Sequence, residues 1–79
     1  MPTPEPDGEA DLRLRREVGE RIRCLRRARG LSQEDLGELI GVDRRAISTY
    51  EVGSVALSLD RVGAICRALR VETWRLFYG

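Results

Sequence analysis

The stretch Gln33–Gly53, QEDLGELIGVDRRAISTYEVG, decides the fold. It holds two apolar-periodic runs separated only by Gly41 and Val42. In the first run Leu36, Leu39 and Ile40 recur at helical spacing behind Ser32, and Ser32 with Asp35 three residues on reads as an N-cap and a capping-box-like pair. Gly41 ends that helix, because glycine tolerates the left-handed conformation that terminates helices. Asp43 then caps a second helix in which Ile47 and Tyr50 face inward, three apart, until Gly53 stops it. Gly37 supplies a small residue where the second helix crosses the first. This leaves Arg44, Arg45, Ser48 and Thr49 on the outward face, with two arginines in the first turn and no acid at that tip beyond Asp43.

Working outward, Leu14, Val18, Ile22 and Leu25 form a stripe that predicts a first helix from Asp11 or Leu12 to Arg29. Gly30 closes it, and Leu31 returns the chain to the core. Beyond Gly53, Ser54–Ser58 reads as a loop. Ser58 or Asp60 opens a fourth helix that buries Leu59, Val62, Ile65, Cys66 and Leu69, and Val71–Phe77 forms a short fifth. All three prolines, Pro2, Pro4 and Pro6, lie in the first six residues beside acids. Residues 1–10 therefore read as a disordered acidic tail and residues 11–79 as one domain. The absence of proline after residue 6, with spacings near 3.6, predicts an all-α, compact five-helix bundle with strand content near zero.

The chain has 79 residues, 42% apolar, 34% charged and 5% aromatic, which suits one small soluble domain and excludes a multidomain enzyme. No basic segment precedes an apolar one and no apolar run is long enough to span a bilayer, so the expected location is cytoplasmic, with no membrane partner. The chain has no histidine and two cysteines, too few for a tetrahedral zinc site. Without histidine no serine or cysteine has an activating base, so neither catalysis nor a cofactor is expected. Cys66 falls at a small buried position and Cys24 near the edge of the core face, so a core role is expected for them ahead of the alternative, redox sensing.

The basic residues are 14 arginines and no lysine. Arginine is a planar fork that suits phosphates and guanine edges, although genome base composition produces the same usage. Residues 1–11 hold four acids and no base, residues 12–29 eight arginines against Glu17 and Glu20, and residues 30–79 six arginines against seven acids. Such asymmetry marks either a polyanion-binding face or a solvated helix with an acidic tail.

Two helices joined by a short glycine-containing turn form the helix-turn-helix unit, whose second helix enters the DNA major groove. Residues 18–77 resemble the phage repressor and Cro type of helix-turn-helix protein, also called the xenobiotic-response-element family. The pieces are VGERIRCLRRARGLSQEDLGELIGV, then DRRAISTYEVG, then SLDRVGAICRALRVETWRLF, in the family order and spacing. The resemblance implies a lambda-repressor-like DNA-binding domain, a homodimer on a roughly palindromic double-stranded DNA operator, and transcriptional control as a repressor or autoregulator. It places the readers of base edges at Arg44, Arg45 and Thr49, with Ser48 beside them and Asp43 at the tip. Ser32, Gln33 and the helix N-termini would meet the sugar-phosphate backbone, Gln33 alternatively a base edge. It also pairs Arg26 with Glu51 as a structural salt bridge joining the first and third helices.

The chain departs from the family pattern in three places. The loop after the third helix lacks its usual bases and proline, and Val52 replaces a common base, which shifts phosphate contact to the first helix and Arg61. Trp74 stands where the family has an exposed acid and Thr73 where it has an apolar residue. Arg21, Arg23, Arg27 and Arg29 read as a solvated face that attracts DNA without selecting sequence. Trp74, Phe77 and Tyr78 read either as a dimer or partner surface or as folding back on the core with Leu76. The alternative reading is a protein-interaction module, an antitoxin or adaptor, using that aromatic surface. With no room for a ligand pocket, regulation is expected from concentration, proteolysis or a protein partner.

Overall fold

Three N-caps set the starts of the central helices. In the computed structural model, which describes residues 8–78, Ser32 Oγ accepts from the Asp35 backbone N–H at 2.9 Å and Asp35 Oδ2 accepts from the Ser32 N–H at 2.9 Å. This reciprocal pair opens α2 (Gln33–Ile40). Asp43 Oδ1 accepts from the Ala46 N–H at 2.9 Å to open α3 (Arg44–Val52), and Ser58 Oγ accepts from the Arg61 N–H at 3.0 Å to open α4 (Leu59–Leu69). Gly41 and Gly53, both at φ 78°, close α2 and α3 in the left-handed conformation. The α4 end differs, since Arg70 adopts φ 57° there.

The first helix, α1 (Gly8–Ala28), starts three residues ahead of the expected Asp11. The cause is electrostatic: Glu9 and Asp11 lie in its first turn, where carboxylates favour the positive end of the helix dipole. Gly8–Ala10 of the expected tail are thus helical, and residues 1–7 lie outside the described residues. The last helix, α5 (Trp74–Tyr78), begins later than the expected Val71, because Arg70 and Val71 are held by the Arg67 and Cys66 carbonyls in the α4 end-turn. The described residues contain helices and turns and no strand.

α1 packs mainly on α3, α2 lies against α3 and α4, and α5 returns to α1. Between them sit Ile22, Leu36, Ile47, Ile65, Leu69 and Leu76, each essentially without exposure, with Val18, Val62 and Cys66 beside them. Each such side chain contributes about 1.5–3 kcal/mol when fully buried. Tyr50 is half-buried against this cluster, as its spacing from Ile47 predicts.

Four residues expected in the core are outside it. Leu39 is exposed because the buried face of α2 is centred on Leu36, Gly37 and Ile40, and the buried glycine turns that face away from Leu39. Leu14, in the second turn of α1, and Leu59, the first residue of α4, are exposed because they stand on the rim of a gap that the helices leave open. With Val55 and Phe77 they border an open apolar groove between α1, the 54–58 loop, α4 and α5. Cys24 is exposed, and its thiol points to Glu20 Oε1 at 3.7 Å.

Local environment shifts the ionisation of one thiol and one carboxyl. Burial pushes the Cys66 thiol up, against a smaller opposing pull from the Arg67 charge. Under native conditions a thiol reagent should therefore add once, at Cys24; rapid double modification by mass spectrometry would contradict the buried position. The Ser32 backbone N–H, and then its hydroxyl, hold the Asp35 carboxyl below the usual carboxylate range. A lowered folded-state pKa gives stability that is complete above the unfolded value of about 3.9 and is lost as pH falls through the folded value. Asp35→Asn should flatten this part of the acid-melting profile, and an unchanged profile would contradict the capping box.

Candidate nucleic-acid interface

The tip of α3 carries the positive groups. Arg44 and Arg45 are exposed, and their side chains make no hydrogen bond or ion pair with any described residue. Both lie in the first turn behind Asp43, whose carboxylate is occupied by the Ala46 N–H. Asp43 thus serves as a cap. The expectation that acids are absent from this tip needs correction, because Glu34 and Glu38 of α2 line the same hollow as Arg44 and Asp43. Ser48 and Thr49 are half-buried, and Thr49 Oγ1 donates to the Ala46 carbonyl at 2.7 Å. The threonine therefore offers its methyl and a lone pair outward more readily than a proton.

Behind α3 a buried ion pair joins three helices. Arg26 of α1 and Glu51 of α3 are 7% and 6% exposed, with Arg26 Nε donating to Glu51 Oε2 at 2.5 Å and Nη2 to Oε1 at 3.0 Å. The hydrogen bond to Glu51, aided by its charge, holds the Arg26 guanidinium more firmly protonated despite desolvation. Arg26 Nη1 also donates to the Leu31 carbonyl at 2.8 Å, and Gln33 Nε2 donates to Glu51 Oε1 at 3.1 Å. The Gln33 amide is accordingly tethered from behind, while Ser32 is engaged in its own cap.

Backbone contact fixes the tilt of α3 against α1. A Cβ at Gly19 would run into the carbonyl oxygens of Tyr50 and Glu51, and one at Gly53 would lie 2.8 Å from the Arg16 backbone nitrogen. Arg15 Nε donates to the Gly53 carbonyl at 3.2 Å. At the other end of α3, a Cβ at Gly37 would lie 2.5 Å from the Val42 carbonyl oxygen, so α2 also touches the turn directly. Gly19 and Arg15 escaped the sequence reading. The available signal was a glycine inside a helix, where it costs about 1 kcal/mol relative to alanine unless a neighbour needs the space.

The arginines divide into two groups. Arg21 Nη1 donates to the Leu76 and Phe77 carbonyls, Arg61 Nη1 to the Ile40 carbonyl, and Arg23 pairs with Glu20 at 2.8 Å. These side chains staple helices or pair locally, so the expected transfer of phosphate contact to Arg61 and a fully solvated α1 face needs revision. Arg27 and Arg29 remain exposed. At the far end, Trp74, Phe77 and Tyr78 are 53%, 38% and 84% exposed, whereas Leu76 alone folds back into the core. The Arg75 guanidinium lies 5.8 Å from the Trp74 ring centroid.

Among the described residues no group of three or more His, Cys, Asp or Glu is placed to hold a metal, and no helix is long and apolar enough to cross a membrane. Five helices, a glycine turn between α2 and α3, and an arginine-tipped α3 braced from behind define a helix-turn-helix domain of the lambda-repressor and Cro type. The chain belongs to the helix-turn-helix family, whose profile matches residues 22–73. It is similar in structure to the restriction-modification controller protein C.AhdI from Aeromonas hydrophila, with TM-score 0.77 and 41% identity, covering 86% of this chain and 98% of that one. It is also similar to the P22 c2 repressor protein, solved in complex with a synthetic operator, with TM-score 0.70 and 32% identity, covering 75% and 89%. An uncharacterized HTH-type transcriptional regulator of Sinorhizobium fredii is 42% identical over 55 residues, which is 70% of this chain. The chain spans 38% of the length of that relative.

Proposed function

We propose that this protein is a sequence-specific, double-stranded-DNA-binding transcriptional regulator, acting in the cytoplasm as a repressor or autoregulator. The observation that carries the reading is the pair Arg44 and Arg45, exposed and unpaired at the tip of a helix whose tilt is fixed by Gly19, Gly53 and the Arg26–Glu51 pair. An arginine so placed donates both of its terminal nitrogens to guanine N7 and O6, which discriminates by about 1–3 kcal/mol. Ser48 and the Thr49 methyl lie beside them for a second base or a thymine methyl. Ser32 and the N-terminus of α2 border the backbone, and Gln33 beside them meets a base edge. The likeness to a repressor solved on its operator supports the docking of α3 in the major groove.

A homodimer is the assembly this reading calls for, and an exposed apolar groove supports it. Phe77 lines an open apolar groove with the exposed Leu14, Val55 and Leu59, and Trp74 and Tyr78 are exposed on the same helix, α5. A second copy covering this surface would set two α3 helices in successive major grooves about 34 Å apart, on a palindromic operator. An adaptor or antitoxin role would use the same surface for another protein; the free arginine tip favours DNA.

Two substitutions separate readers from general attraction. Arg44→Ala should weaken the preferred duplex by about 1–3 kcal/mol while hardly changing a random duplex, whereas Arg27→Ala should weaken both alike. Fluorescence anisotropy at fixed salt reads both numbers. Equal loss from both variants on both duplexes would overturn the assignment of Arg44.

A further inference from the structure

Glu51 sits in the last turn of α3, nearly buried, at the end away from Arg44. Its Oε2 takes Arg26 Nε, and its Oε1 takes both Arg26 Nη2 and Gln33 Nε2, the last at 3.1 Å. Gln33 is the first residue of α2 and is half-buried. A glutamine amide turned the other way would set its carbonyl oxygen against Glu51 Oε1, two acceptors with no proton between them. The carboxylate therefore decides which way the amide points. Arg26 reaches the same place from the other side, through the Leu31 carbonyl just ahead of the Ser32 cap.

We infer that Glu51 is a positioning residue for Gln33, which it holds in a single orientation so that the amide oxygen and second N–H of Gln33 face the nucleic acid. The inference rests on the reading of DNA by α2 and α3 proposed above. Glu51 is buried and negative, so it meets neither base nor phosphate itself. Any change of sequence preference it causes passes through a neighbour. A glutamine already held also loses less rotamer freedom on binding than a free one. The ion pair at the back of α3 thus acts on selectivity at the start of α2 as well as on stability.

The test uses the whole protein and a duplex selected by wild type, with each base pair of that duplex varied in turn. Gln33→Met keeps the side-chain length but removes the amide, and should weaken the preferred duplex by about tenfold at one or two positions. Glu51→Asp keeps a charge for Arg26 but withdraws the carboxylate from Gln33. It should lose preference at those same positions, and the double variant should bind no more weakly than Gln33→Met alone. Losses that multiply, or a Glu51→Asp loss equal at every position, would overturn the positioning role. If Glu51→Asp does not fold, the side-chain amide resonances of Gln33 in wild type decide the matter. One protected, shifted proton supports the tether, and a solvent-averaged pair overturns it. Absence of any preferred duplex for wild type would instead overturn the reading of DNA on which the inference rests.

Discussion

Arg26→Met should destabilise the fold by about 3–5 kcal/mol, the largest effect of any single change at the interface. The substitution keeps most of the side-chain volume and leaves Glu51 buried, with Gln33 as its remaining donor. An uncompensated carboxylate in that position is costly because its attraction to Arg26 replaced the hydration it lost on folding. For a small domain, whose stability is roughly 5–15 kcal/mol, such a loss removes a large share of the total. Replacing both partners, as Arg26→Met with Glu51→Leu, should recover most of it, because an apolar pair of similar size needs no hydration. Urea melts of the three variants measure this directly. A single variant that loses less than about 1 kcal/mol, the scale of an exposed pair, would contradict the buried, load-sharing role of Arg26.

Gly19→Ala should also destabilise, by about 3 kcal/mol, although helix propensity alone pushes the other way by about 1 kcal/mol. The obstacle is backbone: the added methyl meets the carbonyl oxygens of Tyr50 and Glu51, and neither can swing aside as a side chain would. α1 and α3 must move apart, which also disturbs the Arg26–Glu51 geometry. Gly63→Ala provides the contrast. There the methyl meets only the end of the Arg67 side chain at 3.2 Å, so the gain in propensity of about 0.5–1 kcal/mol should survive as stabilisation. Equal stabilisation of both variants in thermal melts would mean that α1 and α3 are not in backbone contact.

The architecture was legible because its signals are local. Ser32, Asp43, Gly41 and Gly53 act within one turn of themselves, and each stands at the boundary its chemistry implies. The pairing of Arg26 with Glu51 came from resemblance, and the structure places the two within hydrogen-bond distance. What escaped depends on relations between helices. Leu14, Leu39 and Leu59 satisfy helical periodicity, yet exposure is decided by which neighbour covers each face, and periodicity carries no such information. The arginines show the same limit. Composition counts Arg15, Arg21 and Arg61 as free positive charge, whereas folding brings each to a carbonyl at the end of a helix distant in sequence. The acids beside Arg44 were likewise hidden, since Glu34 and Glu38 reach it only across the turn.

Selection of bound sequences from a random duplex library, with wild type and with the Arg44→Ala, Arg45→Ala double variant, tests the central claim most directly. The account predicts that wild type enriches an inverted repeat with half-sites about one helical turn apart and that the double variant does not. No enrichment by wild type at low salt, or the same repeat enriched by both proteins, would contradict it.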